Sequence, residues 1–247
     1  TLRGGYRYVW GDALVPPSSL TPAQRGELRR NVGIAGLNFR AGGKISANFE
    51  FQGAAADRSY FRTSLHDYQW MRARARYQAF PSLGFQANFT YLNNDNPTPG
   101  INYSLLSRNN SLSVFWTPGG GQKYSVLAEY TRSTLRSDIF YLAPQDLQPE
   151  SSFYRDNAHT AYALVELAVP AQIRPGLNPR VAFGGSLFRS SGSRPTRFWQ
   201  PVGRIALPVH PKLAIISEWR WYGFGQPFYR YEEFRTHLFT AGLRITR

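Results

Sequence analysis

The strongest constraint on this chain is an alternation of apolar and polar side chains with a period of two residues. The alternation is clearest in the segment 44–52, where Ile45, Ala47, Phe49 and Phe51 are separated by polar residues. Only an extended strand places alternate residues on opposite faces. The segment therefore predicts a β-strand with one apolar and one polar face.

The same period predicts twelve strands along the chain. They are expected at residues 1–10, 31–40, 44–52, 67–79, 83–92, 108–117, 123–132, 158–169, 181–189, 197–207, 213–222 and 236–246. Most are about 9 to 12 residues long, which is long for a soluble domain and close to the span of a tilted strand across a membrane.

The connections between these strands alternate in length. The short ones are 41–43, 81–82, 118–122 and 208–212, with 170–180 moderately longer; the long ones are 11–30, 53–66, 93–107, 133–157, 190–196 and 223–235. Short periplasmic turns and long extracellular loops are typical of transmembrane barrels. The predicted fold is all-β: an antiparallel up-and-down transmembrane β-barrel of about twelve strands.

Helices have little place in this pattern. No run approaches the roughly 18 apolar residues of a transmembrane helix. The best helical stretch is 19–30, where Thr21 and Pro22 suit a helix start and Gly26 weakens the interior. We expect a short helix or a solvated loop there.

Aromatic residues favour a membrane over a soluble barrel. On the apolar face they recur at the extracellular ends of six strands: Trp10, Phe51, Tyr91, Tyr130, Trp199 and Trp221. Near the opposite ends lie Trp116, Tyr124, Phe39 and Tyr77. Such rows are expected of aromatic girdles at two membrane interfaces, although aromatic residues also simply favour strands.

The other face carries more cations than anions. Its arginines are Arg3, Arg7, Arg40, Arg72, Arg74, Arg76, Arg204, Arg220 and Arg244, and its glutamates are Glu50, Glu129, Glu166 and Glu218. A dry core could not hold so many charges, whereas a hydrated lumen can. From this set we predict ten pore-lining residues: Arg40, Arg72, Arg74, Arg76, Arg204, Arg220 and the four glutamates. The arginines either attract anions or brace the wall by pairing with glutamates and lumenal polar groups; both interpretations stay open.

The net charge of +14 is almost entirely due to arginine, because the only lysines are Lys44, Lys123 and Lys212. Further arginines fall in the predicted loops: Arg25, Arg29, Arg30, Arg58, Arg62, Arg132, Arg136, Arg155, Arg189, Arg194, Arg197, Arg230 and Arg235. They could bind phosphates of outer-leaflet glycolipid, or they could form a solvated rim. Nucleic-acid binding is disfavoured, since the cations form no compact stripe.

Catalytic chemistry has weak support. The absence of cysteine excludes disulfides, thiolate metal sites, covalent haem and a catalytic thiol. His66 with Asp67, and Asp156 with His159, could form an acid-base cluster like that of an outer-membrane protease. However, the fourth and eighth strands are not neighbours, and consecutive strand residues point to opposite faces. No histidine pair has the spacing of a metal site, so we expect neither an enzyme nor a cofactor.

The whole pattern resembles bacterial outer-membrane β-barrels of the porin-like kind, including a final strand at 239–245. The last residues, Ile245, Thr246 and Arg247, depart from the C-terminal aromatic that is usual in that class. Segments 60–68 and 105–112 also resemble the MtrB/PioB-type barrel of porin–cytochrome electron conduits. That resemblance implies a sheath around a separate multihaem cytochrome. We expect one domain over 1–247, alone or as the C-terminal part of a larger barrel.

The expected function is a passive, Arg-lined pore for small anionic solutes in the bacterial outer membrane. The alternatives are a sheath or scaffold for a multihaem cytochrome chain and, with less support, an outer-membrane hydrolase using His66 or His159. The expected partners are outer-membrane lipid and glycolipid, small anions and, for the sheath, the cytochrome; no nucleic acid is expected.

Overall fold

The computed structural model describes residues 1–15, 24–58, 65–98, 101–121, 123–142, 148–170, 177–225 and 234–245. Twelve antiparallel strands form one meandering sheet in which the spatial order is the chain order, so the predicted all-β class is confirmed. No helix in the described part of the chain is long and apolar enough to cross a membrane. The strands are β1 (Leu2–Val15), β2 (Gln24–Ala41), β3 (Ile45–Arg58), β4 (Asp67–Phe80), β5 (Leu83–Thr98), β6 (Ile101–Trp116), β7 (Tyr124–Leu142), β8 (Pro149–Ala168), β9 (Arg180–Gly192), β10 (Arg197–His210), β11 (Leu213–Gly225) and β12 (Phe234–Ile245), and a short 3₁₀ turn spans Pro118–Gly121.

The strands are longer than the alternation predicts, because they continue into the predicted long loops. β2 has 18 residues and begins at Gln24, so both the short helix and the solvated loop expected over 19–30 are wrong for residues 24–30; residues 19–23 lie outside the described part. The β1–β2 ladder runs on to the pair of Val15 and Gln24. Cross-strand hydrogen bonds there outweigh the weak local preference for a helix.

Ion pairs join the extended strand ends. Arg25 Nη2 donates to Asp12 Oδ2 at 2.7 Å across β1 and β2. In the same way Arg155 Nη2 donates to Asp138 Oδ2 at 2.9 Å, where loop was predicted over 133–157. In each pair the hydrogen bond to the carboxylate raises the pKa of the arginine.

The chain divides into two compact units. The first unit comprises Thr1–Ala75, Asn88–Asn110 and Ser133–Asp156, and the second comprises Arg76–Ala87, Ser111–Arg132 and Asn157–Arg247. In the first unit, the register of β1, β2 and β3 aligns Arg3, Gly36 and Glu50 on one face. The opposite face aligns Leu2, Leu37 and Phe49, so polar and apolar residues are separated as the sequence period requires.

In the second unit, β9 to β12 show the same separation. One face of these strands aligns Val181, Ile205, Ser217 and Ala241 in register. The opposite face is polar and carries Arg204. Glycine permits unusually close strand contact here: a Cβ at Gly184 would overlap the backbone oxygen of Ala163. Any larger residue at that position must push the strands apart.

Apolar side chains in both units are mostly exposed. Fully buried hydrophobic residues are few among the described residues: Val32, Tyr68, Ala158 and Ala182. Exposed ones are many and include Leu2, Phe39, Phe49, Phe183, Leu187, Ile205, Ile215 and Leu243. A soluble monomer rarely exposes so many large apolar side chains, whereas a strand facing lipid requires them.

Candidate functional site: charged faces of the sheet

On the polar face of the first unit, the missing side chain of Gly36 leaves room for an ion pair. Arg3 and Glu50 lie on either side of Gly36, and a Cβ at position 36 would overlap the Arg3 side chain. Because the gap is open, Arg3 Nη2 reaches Glu50 Oε2 at 3.4 Å. The only predicted lumenal glutamate of this unit is therefore already paired with an arginine.

Three other predicted lining residues of the first unit remain without a carboxylate partner. Arg40, Arg72 and Arg74 are exposed, and among the described residues no carboxylate lies within 4.0 Å of any of them. Arg74 Nε donates instead to Asn88 Oδ1 at 3.1 Å, a neutral partner that leaves its charge uncompensated.

Arg40 and Arg74 line the same polar recess. Its volume is about 560 Å³, and its wall includes Asn38 and Asn48. Asn48 Nδ2 donates to Asn38 Oδ1 at 2.5 Å, which fixes the two amides. The recess thus combines two guanidinium groups with neutral hydrogen-bonding groups, a composition that suits a hydrated anion.

The second unit has a different arrangement, because its carboxylates are shared among its arginines. Glu166 Oε1 accepts from Arg180 Nε at 2.5 Å and its Oε2 accepts from Arg204 Nη2 at 3.2 Å. Glu218 pairs with Arg220. We call Glu166, Arg180 and Arg204 the Glu166 brace. The brace spans β8, β9 and β10 and joins three strands by side-chain contacts.

The remaining predicted lining residues of the second unit bond to neutral groups. Glu129 Oε2 accepts from Ser113 Oγ at 2.9 Å. Arg76 Nη2 lies 3.5 Å from Gln78 Oε1. The sequence analysis did not include Arg180 among the lining residues, because the ninth strand was predicted to begin at residue 181. Extending the alternation by one residue towards the N-terminus would have placed Arg180 on the same face as Arg204.

The predicted girdle residues of the first unit are partly exposed and contact other aromatic or cationic groups. Trp10 stacks on Tyr8 with ring centroids 5.7 Å apart. The Arg108 guanidinium lies 5.5 Å from the Tyr91 ring centroid, and Phe51 is half-buried. Side chains of this amphipathic kind are common at membrane interfaces.

The predicted girdle residues of the second unit also occur in pairs. Trp199 and Trp221 meet edge to face at 5.3 Å, and Trp116 meets a tyrosine ring in the same way at 5.3 Å. The Tyr130 hydroxyl is 2.6 Å from His159 Nδ1. These contacts fix the orientation of large rings that would otherwise rotate freely at the surface.

The two histidines considered for catalysis differ in their contacts. The His66 backbone N–H donates to Asn94 Oδ1 at 2.8 Å, and His66 Nδ1 lies 3.1 Å from Asp67 Oδ1. The expectation that His66 and Asp67 point apart is wrong, because His66 precedes β4 and is not part of its alternation. His159 is held by Tyr130. Among the described residues no three His, Asp or Glu side chains group as a metal site.

Comparison with known proteins identifies the fold of this chain. No protein-family model matches the sequence, and no curated protein matches it. Among solved structures, the chain is similar to the alcaligin outer-membrane receptor FauA from Bordetella pertussis, with a TM-score of 0.58 and 14% sequence identity. The fold is that of an outer-membrane β-barrel. The match covers 98% of this chain and 41% of the FauA chain, so this chain spans less than half the length of that receptor.

Proposed function

We propose that the chain lies in the bacterial outer membrane, where its apolar face contacts lipid and its polar face lines a passive path for small anions. The observation that supports this function is the set of exposed guanidinium groups of Arg40, Arg72 and Arg74, with no described carboxylate within ion-pair distance. Glutamates that could cancel their charge are engaged elsewhere, as in the pair of Arg3 and Glu50.

The magnitude of the effect follows from Coulomb's law. An anion about 8 Å from one guanidinium in water gains about 0.5 kcal/mol, which screening at physiological salt reduces to roughly 0.2 kcal/mol. Three guanidinium groups together give about 0.6 kcal/mol, or roughly a threefold enrichment of anions near Arg40, Arg72 and Arg74. Cations are depleted by the same factor, so the preference is measurable without any specific binding site.

Planar-bilayer recording of the purified protein tests the proposal. In a KCl gradient, the reversal potential is expected to indicate a preference for chloride. The triple variant Arg40→Gln, Arg72→Gln, Arg74→Gln is expected to lose most of that preference. A matched triple, Arg136→Gln with Arg194→Gln and Arg235→Gln, changes the net charge equally at residues that do not line the recess and should retain the preference. Absence of conductance, or equal loss in both triples, contradicts the proposal.

A sheath around a multihaem cytochrome is the competing proposal. Its support is the Glu166 brace, which joins three strands of the second unit and offsets part of the positive charge on its polar face, as a surface in contact with another protein requires. A haem-containing chain that co-purifies with the protein at fixed stoichiometry would favour the sheath over the pore. We propose no enzymatic role. A hydrolytic activity of the purified protein that is abolished by His66→Ala or His159→Ala would contradict this proposal.

A further inference from the structure

The apolar face of the second unit has a groove near the hairpin of β9 and β10. Its volume is about 620 Å³, and its walls include Leu187, Trp199, Trp221 and the bonded pair of Tyr130 and His159. Leu187, Arg189, Arg197, Trp199 and Trp221 are odd-numbered residues of β9, β10 and β11 and lie on the face opposite Arg204, while the stacked rings of the even-numbered Phe188 and Phe198 also line the groove.

Glycine shapes the floor of the groove. A Cβ at Gly223 would overlap the Trp221 indole, so the missing side chain lets that ring lie flat over the strand. Gly223 is the register partner of Trp199, and the two indoles meet edge to face at 5.3 Å. The result is a fixed aromatic wall that can contact an apolar chain.

Two arginines stand at one end of the groove. Arg189 and Arg197 are direct register partners on β9 and β10, and both line the groove. Both are exposed, and no described carboxylate lies within 4.0 Å of either. Like charges directly opposite each other weaken a strand pair. An anion placed between the two guanidinium groups removes that repulsion.

The hairpin end that carries the arginines is held by a local hydrogen-bond network. Ser190 is 7% exposed, and its backbone N–H donates to Thr196 O at 2.8 Å. Thr196 N–H donates back to Ser190 Oγ at 3.0 Å. Because Ser190 and Thr196 adjoin Arg189 and Arg197, these bonds fix the backbone from which both guanidinium groups extend. The backbone at this end is therefore ordered before an anion binds, and only the two side chains lose freedom on binding.

We propose that this groove binds a phosphorylated lipid of the outer leaflet. A phosphate of the headgroup accepts hydrogen bonds from Arg189 and Arg197, and an acyl chain lies along Leu187, Trp199 and Trp221. Guanidinium groups bind phosphate oxygens through paired, charge-assisted hydrogen bonds. Tryptophan prefers the boundary between headgroups and hydrocarbon, so arginines beyond the indoles lie at headgroup height. The site rests on the proposed membrane location but not on anion conduction.

The test measures binding of lipid A, with and without its phosphates, to the purified protein in detergent. Native mass spectrometry counts bound lipid, and tryptophan fluorescence follows the titration. The variant Arg189→Gln with Arg197→Gln is expected to bind phosphorylated lipid A roughly tenfold or more weakly, since the charge-assisted bonds are lost. The control Arg136→Gln with Arg194→Gln removes the same charge outside the groove and is expected to bind as the unaltered protein does.

Three further results decide the proposal. Dephosphorylated lipid A is expected to bind the unaltered protein as weakly as phosphorylated lipid binds the Arg189 and Arg197 variant. Millimolar inorganic phosphate is expected to compete poorly, because it lacks the acyl chain. Replacement of both arginines by lysine, which retains the charge, is expected to give intermediate affinity, and circular dichroism of the glutamine variant is expected to show the same β-sheet content as the unaltered protein.

Equal affinity of the glutamine variant and its control overturns the proposal, as does equal affinity for the two lipids. A loss of chloride preference in the same variant would instead mean that these arginines belong to the conduction path. The lipid site and the proposed pore can therefore fail separately.

Discussion

Replacing Glu166 by glutamine tests whether the polar face of the second unit is braced by ion pairs. The change removes the charge that both Arg180 and Arg204 contact, at 2.5 Å and 3.2 Å. The three side chains are 24% to 35% exposed, which makes them neither buried nor freely solvated. Glutamine has nearly the same size, so the change affects charge and leaves packing intact.

The expected loss follows from the exposure of the pairs. Fully exposed ion pairs contribute about 0.2–1 kcal/mol each, and hydrogen bonds to charged groups about 1.5–3 kcal/mol. Partial exposure places each contact of Glu166 near 1 kcal/mol, so two contacts give a loss of about 2 kcal/mol in the free energy of unfolding. Part of this loss is repulsion between Arg180 and Arg204, which no longer have an anion between them.

Reversible urea unfolding in lipid vesicles, followed by tryptophan fluorescence, measures this loss. Glu129→Gln is the matched control, because Glu129 bonds to hydroxyl groups such as that of Ser113 rather than to an arginine. We expect it to lose less than about 1 kcal/mol. Equal losses in the two variants would refute the argument. So would a double-mutant cycle of Glu166→Gln with Arg204→Gln that gives no coupling energy.

Two further predictions concern close packing and the aromatic girdle. Gly184→Ala should lower the free energy of unfolding by about 1–3 kcal/mol, because the new methyl group overlaps the Ala163 carbonyl oxygen. Gly242→Ala is the control, since a methyl group at that position has open space around it. Similar unfolding midpoints for the two variants would contradict the close contact at Gly184. Tyr130→Phe should cost about 1 kcal/mol through the lost bond to His159 Nδ1; an unchanged midpoint would mean that this bond adds no stability.

The positions of the strands follow from the sequence because alternation is a local property. Residues 45–52 alternate strictly and lie in β3 as predicted. The end of β3 was missed, since its last residues include Gly53, Ala54 and Ala55, which carry little alternation. They stay in the strand because each has a register partner in β2, and a partner distant in sequence is not visible in a local pattern.

The expectation of a short helix or a loop over 19–30 is wrong at residues 24–30 for the same reason. Arg25 and Asp12 meet across β1 and β2, a contact between residues 13 positions apart. Propensity describes each residue alone and gives no weight to such a contact. The composition of the segment therefore does not indicate the cross-strand ladder that extends both strands.

The sequence predicts which charged residues share a face, but it does not predict which of them form ion pairs. Parity places Glu166 and Arg204 on one face, yet whether they touch depends on the stagger of β8, β9 and β10. Bracing and anion attraction were equally compatible with the sequence. In the structure Glu166 contacts two arginines, whereas Arg72 and Arg74 have no described carboxylate within 4.0 Å.

The most direct test of the anion path is the reversal potential of the unaltered protein in a planar bilayer under a KCl gradient. At about 0.1 M salt, where charges act over roughly 10 Å, the arrangement of Arg40, Arg72 and Arg74 predicts that chloride passes more readily than potassium. At about 1 M salt, where the range falls to roughly 3 Å, this preference should nearly vanish. A preference for potassium at low salt would contradict the account.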